Sequence, residues 1–233
     1  MMFTNSALVS YTKISPNKTV PRNAKIDTIT IHCVVGQLSV ETLGDMFAKS
    51  SYQASCNYAI GSDGRIGLIV EEKDRSWCSS SKSNDHRAIT IECASELKHP
   101  YAVNGNVYKS LINLLVDICK RNGIKELKWK GDKSLVGQVD KQNMTVHRWF
   151  ANKSCPGDYL YDLHSQIAKE VNAKLTQPTS VPLLTSANDI TWELNHTYFP
   201  ITDTDKFVRE LDEAKKKNSS LYWGYYKLVN KIK

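Results

Sequence analysis

"DTITIHCVV", residues 27–35, has a near copy of its centre further along the chain: "ITIHC" at 29–33 is matched by "ITIEC" at 89–93. Both strings alternate β-branched residues with polar ones, the period-2 pattern of a half-buried strand. Successive side chains of a strand point to opposite faces. Ile29, Ile31 and Cys33 therefore share one face, and Thr30 and His32 the other. The same rule separates Ile89, Ile91 and Cys93 from Thr90 and Glu92. Two such strands in one sheet, polar faces matched, would aim His32 and Glu92 into one cleft. The match is too short to mark a repeated domain.

The surrounding sequence alternates helix and strand signals. "SVETLGDMFAKS" (39–50) predicts a helix with Ser39 as N-cap and Thr42 at the third helical position. "CNYAIGSDGRIGLIVEE" (56–72) predicts a hairpin turning at Asp63-Gly64. Leu111, Leu114, Leu115 and Ile118 form a buried helical stripe within 106–122, and Gly123 stops it. Leu160, Leu163, Ile167 and Val171 mark another helix. The expected fold class is α/β: a central mixed β-sheet flanked by helices, plus a small, mainly helical C-terminal module.

"TVHRWFANKSCPG", residues 145–157, places His147, Lys153 and Cys155 within nine positions. Imidazole and thiolate are strong zinc ligands, and a nearby ammonium can neutralise an oxyanion. Two ligands are too few, and His32 is the obvious third. Three converging ligands leave a fourth position for water, the mark of a catalytic rather than a structural zinc site. The bland alternatives are a hydrogen-bonded His147 and a Cys155 packed as a small hydrophobe.

The pattern H-x5-K-x-C-P-G, downstream of a histidine in a β-run, resembles the type 2 N-acetylmuramoyl-L-alanine amidases. That family includes peptidoglycan recognition proteins and phage lysozyme-type amidases, and the resemblance covers roughly residues 25–175. It implies one catalytic Zn2+ held by His32, His147 and Cys155, with Lys153 stabilising the oxyanion. Non-catalytic relatives often lack the cysteine, so Cys155 leans toward an enzyme. Many relatives place a tyrosine base seven residues before the Asp-Gly turn, but here that position is Cys56. A second branch uses a glutamate in an "IGIE" strand, which maps onto Glu92 in "ITIE". The family's frequent Trp-His pair is Trp77-Cys78 here, which removes an imidazole from the cleft. Trp77, Tyr58 and Asn84 are the candidate substrate contacts, with a buried core position the alternative for Trp77. The resemblance implies cleavage of the amide between N-acetylmuramic acid and L-alanine in bacterial peptidoglycan. The expected setting is a phage or prophage endolysin lysing Gram-positive cells. A non-catalytic peptidoglycan-binding protein and a host autolysin are the alternatives.

Composition is ordinary for a globular protein: 41% hydrophobic and 24% charged residues in 233. The net charge of +7 suits an anionic polymer such as bacterial wall, or a plain basic surface. No dense basic helix or finger spacing argues for nucleic acid. No apolar run is long enough for a membrane span, so no membrane insertion is expected. The start lacks a signal-peptide pattern, which predicts synthesis in the host cytoplasm and action on the wall after release. The six cysteines form no close CxxC pair and are expected to be reduced.

The expected organisation is a catalytic domain at 1–175, a linker at 176–187 and a module at 188–233. The linker, "TQPTSVPLLTSA", is rich in proline and hydroxyl residues. Two helices are expected in the module, one with acidic residues early and lysines late as the helix dipole favours. Trp192, Tyr222, Trp223, Tyr225 and Tyr226 are candidates for stacking on wall sugars. Core packing between short helices, or a homodimer through the module, is the rival use of these aromatics.

Overall fold

The computed structural model describes residues 3–176, 186–198 and 200–229. It divides into two compact units, Met1–Thr176 and Gln177–Lys233. The expected linker falls mostly on residues 177–185, outside the described residues, and Ser186 already caps a helix.

The first unit begins with β1 (Tyr11–Thr12), β2 (Lys18–Thr19), β3 (Thr28–Val35) and α1 (Val40–Phe47). Then come β4 (Tyr58–Ile60), β5 (Ile66–Leu68), β6 (Arg75–Ser76), α2 (Lys82–Arg87) and β7 (Ala88–Ser95). It ends with α3 (Gly105–Asn122), β8 (Met144–Thr145) and α4 (Gly157–Thr176). Six strands form one sheet in the order β1-β5-β4-β7-β3-β8, and β2 pairs with β6 separately. The sheet is mixed: β4 and β5 form the antiparallel hairpin, while β4, β7, β3 and β8 run parallel.

The sister strings are direct neighbours. β3 and β7 pair in parallel with Ile29 opposite Ile89, Ile31 opposite Ile91 and His32 opposite Glu92. Parallel partners in register share a face, so the apolar residues of both strands enter one core and the polar residues share the other side. The apolar side packs with Leu111, Leu114, Leu115 and Ile118 of α3 and with Leu160, Ile167 and Val171 of α4. Asn104 caps α3 through bonds from Asn106 and Val107, and Gly123 ends it in the left-handed region at φ 69°. α1, capped by Ser39, packs Leu43 and Phe47 against Cys56, Ala59, Ile69 and Cys78.

His164 lies on the buried face of α4. Its Nδ1 pairs with the Leu160 carbonyl at 2.6 Å, and its ring centroid is 4.4 Å from that of Trp129. Its Nε2 has no hydrogen-bond partner among the described residues. Burial lowers the imidazole to about 4, helped by the nearby Arg148 charge. The unfolded chain takes up this proton near pH 6.5, while the folded chain resists it until about 4. The associated stability is therefore present above pH 6.5 and lost as pH falls toward 4. Acidification from pH 7 to 4.5 should cost this unit about 2 kcal/mol through this group. Urea unfolding followed by tryptophan fluorescence should show most of that pH dependence absent in His164→Leu.

The second unit contains α5 (Ala187–Glu193), running into a π turn at Leu194–Tyr198, then α6 (Thr204–Lys216) and α7 (Ser220–Val229). The sequence predicts α6 and α7 but not α5, whose seven residues are too few for a clear period. Ile190, Leu194, Leu211, Tyr222 and Val229 form its core. Tyr222 is 1% exposed, which removes it from the wall-facing candidates. Tyr225 and Tyr226 are half-buried against the same core, while Trp192 and Trp223 remain exposed. No helix among the described residues is long and apolar enough to cross a membrane.

Candidate metal centre and cleft

The polar face of β3, β7 and β8 is the floor of the site. Thr30 and Thr145 join hydroxyls at 2.8 Å, and the Asn84 amide bonds both of them at 3.0 Å. Asn84 also donates to Ser79, so its side chain is fully engaged beneath the cleft. This buried position corrects its expected role as a substrate contact. Tyr58 is corrected likewise. Its register partner is Ile91, which puts it on the apolar face, where its hydroxyl donates to Glu72 at 2.7 Å. The neighbouring Ala59, opposite Glu92, faces the polar side instead.

His32, at the end of this polar row, is fully buried. Its Nδ1 lies 3.3 Å from Cys155 Sγ and 3.9 Å from Glu92 Oε1. The His147 ring stands edge-on to it with centroids 5.2 Å apart. One donor atom from each of His32, His147 and Cys155 falls within 4.8 Å of the others. Residues distant in sequence are thus brought to one point.

The segment holding His147 and Cys155 is pinned along its length. The Arg148 backbone N–H donates to the Cys155 carbonyl at 3.1 Å, closing the loop between the two candidate ligands. Its guanidinium donates to Ser154 O at 2.6 Å and pairs with Asp158 at 2.9 Å. Trp149 stacks on Trp129 at 5.1 Å with an interplanar angle of 3°. Gly157, which ends the CPG turn and starts α4, has φ +78°. A Cβ there would meet the Pro100 carbonyl at 2.8 Å, so only glycine fits.

The middle of β7 supplies Glu92. The Cys78 thiol donates to Glu92 Oε1 across 3.8 Å, while Oε2 has no partner among the described residues. Cys78 is itself fixed from behind. Its backbone N–H and that of Ser79 donate to the buried Asp85 carboxylate. Burial raises the Glu92 carboxyl to about 7, against a weaker lowering effect of the Cys78 bond. Burial and the Glu92 charge together push the Cys56 and Cys78 thiols well above the usual range, so both stay protonated. His32 is lowered by burial and then by His147, and His147 by burial and then by Lys153. Both imidazoles are therefore neutral near pH 7, the state a metal requires. A bond with the Cys33 thiol raises Cys155, and burial adds to it.

A cleft of about 700 Å³ reaches this cluster at Cys78 and His147. Trp77, Cys78, His147 and Lys153 line it. The Trp77 indole donates to Thr19 at 3.0 Å, which fixes the ring. Sequence reading missed Arg75, Gln53 and Ser80, which also line the cleft. Ser80 bonds His147 Nε2 at 2.9 Å and holds φ 62°, a left-handed conformation unusual for serine. No pattern in the sequence marks such a residue. A larger cavity, beside Trp129 and Lys169, includes none of the site residues.

The donor set fits zinc. Neutral imidazoles and a cysteine that binds as thiolate are its usual protein ligands, and ligand atoms around a tetrahedral zinc stand roughly 3.5 Å apart. The buried His32 Nε2 lacks a hydrogen-bond partner among the described residues. A second trio, His32, Cys78 and Glu92, meets the same distance criterion.

The profile of the N-acetylmuramoyl-L-alanine amidase family matches residues 22–158. No curated protein sequence matches the chain. Among solved structures, a selenomethionine derivative of AmpD is 16% identical with a TM-score of 0.52, covering 72% of this chain and 99% of that one. The endolysin amidase LysCS from Clostridium intestinale is 15% identical with a TM-score of 0.46, covering 72% and 96%. The Drosophila peptidoglycan recognition protein SD is 16% identical with a TM-score of 0.46, covering 71% and 88%.

Proposed function

We propose, on the premise that this chain belongs to the N-acetylmuramoyl-L-alanine amidase family, that it hydrolyses the amide between N-acetylmuramic acid and L-alanine in peptidoglycan. The observation that carries this reading is the convergence of His32, His147 and Cys155 beside Glu92, with Lys153 on the cleft wall. His32, His147 and Cys155 would hold the metal. A zinc ion there would supply Lewis-acid polarisation of the scissile carbonyl and acidify a bound water.

The chain's own residues do the rest. Glu92 accepts a proton from the attacking water at a carboxylate oxygen. The new C–O bond forms as the carbonyl oxygen becomes an oxyanion, and the Lys153 ammonium offsets that charge. As the C–N bond breaks, Glu92 returns the proton to the departing L-alanine nitrogen. Trp77 forms a rigid wall along the cleft, and Cys78 holds one Glu92 oxygen so that the other is free to exchange protons. The net charge of +7 favours approach to the anionic Gram-positive wall, in keeping with an endolysin-like lytic role.

The test is amine release from purified Gram-positive peptidoglycan. New N-terminal L-alanine should appear, vanish on chelation and return with added zinc. Saturable wall binding with no amine release would replace this reading by a recognition protein.

A further inference from the structure

The second unit carries a groove that the amidase chemistry does not use. It has a volume of about 420 Å³ and lies between α5 with its π turn and the start of α6. Asn188, Trp192, Asn195 and His196 line it from the first element, at the helical spacing that puts them on one face. The opposite face of the same helix sends Ala187, Ile190 and Leu194 into the core. Its lining is therefore a separate surface with its own composition. The π turn, Leu194–Tyr198, carries Asn195 and His196 of this face, and widened turns of this kind recur at functional sites.

Trp192 is 61% exposed, the largest apolar surface in the groove. It is nevertheless held in place. The His196 ring stacks on it at 4.3 Å, and His196 Nδ1 bonds the Trp192 carbonyl at 2.8 Å. A rigid, exposed indole loses little entropy when a flat ligand is laid on it. Around it stand the amides of Asn188 and Asn195 and the carboxylates of Asp189 and Asp205. Carboxylates accept hydrogen bonds, and amides both donate and accept. Among the described residues, no lysine or arginine lines the groove. Phosphate-bearing polymers would meet two carboxylates and no cation, so the lining selects against them. An uncharged, hydroxyl-rich ligand with a flat C–H face satisfies both the indole and the rim.

We propose that the groove between α5 and α6 binds a saccharide chain, stacked on Trp192 and bonded by its polar rim. Given the amidase reading on which it rests, the saccharide is the N-acetylated glycan strand of the wall. The occupied surface is then on α5 and α6, not on the tyrosines of α7.

The experiment titrates the full chain with peptide-free glycan strands prepared from purified walls. Amidase turnover on a soluble muropeptide is measured in parallel. Trp192→Ala and Asp205→Ala should each weaken strand binding, the first by at least tenfold, with turnover unchanged. Circular dichroism checks that both variants fold, and Asp205 is exposed enough for its loss to leave the unit intact. Wild-type strand affinity in both variants, or tighter binding of a phosphodiester wall polymer than of glycan, would overturn the proposal. Strand binding with no turnover in the wild type would support this groove while overturning the amidase reading.

Discussion

Glu92→Gln should lower amidase turnover by about 100-fold or more while leaving fold and metal content unchanged. The loss of a positioned general acid–base is typically worth a factor of roughly 100 to 10,000. Glutamine keeps the size of the side chain but cannot accept the proton of the attacking water. The fold should tolerate the change because, among the described residues, no Lys or Arg pairs with Glu92 and would be stranded. Its partners are Cys78 at 3.8 Å and His32 at 3.9 Å. Burial already pushes its carboxyl up to about 7, so a neutral isostere sits in that environment at no extra desolvation cost. The measurement is muropeptide turnover, with metal stoichiometry and circular dichroism recorded on the same sample. Turnover within threefold of the native protein would take the base assignment away from Glu92.

Cys155→Ser should abolish stoichiometric zinc and, with it, activity. Serine preserves the shape but offers a hydroxyl, which at neutral pH is a far poorer ligand than a thiolate. Changes one shell further out already cost 10- to 100-fold in metal affinity, so losing a direct ligand should cost at least about 100-fold. Cys119→Ala is the control. Cys119 is likewise a free thiol, but it is buried on the core side of α3, and its loss should leave the metal in place. Zinc content is read by atomic absorption after dialysis. Full occupancy in Cys155→Ser would remove this thiol from the ligand set, leaving the trio of His32, Cys78 and Glu92 as the alternative.

The strands β3 and β7 with their faces, the β4–β5 hairpin and the helices α1, α3 and α4 were legible in the sequence because each rests on a local rule, whereas the two-residue strands β1, β2, β6 and β8 are too short to show a period. Alternation assigned faces to "ITIHC" and "ITIEC", Ser39 and Gly123 marked helix ends, and Asp63-Gly64 marked the hairpin. The pairing of His32 with Glu92 was also within reach, since matched strings in parallel register must align their polar faces. The amidase family was readable from the spacing of His147, Lys153 and Cys155. The errors have a common origin. Tyr58 and Asn84 were placed by analogy of position, but register turned Tyr58 into the core and a hydrogen-bond network drew Asn84 beneath the floor. Tyr222 was one of several neighbouring aromatics, and nothing local says which of them a three-helix core will take.

Sequence by itself determined which side chains could carry the chemistry and which face of each strand they occupy, because both follow from residue type and backbone period. Only the tertiary structure decided their company. The Cys78 thiol meets Glu92, Ser80 meets His147 across 67 residues of chain, and Trp192 stands over a groove shared with α6. Such contacts depend on how distant elements pack, and packing is set by the whole core rather than by any local stretch of sequence.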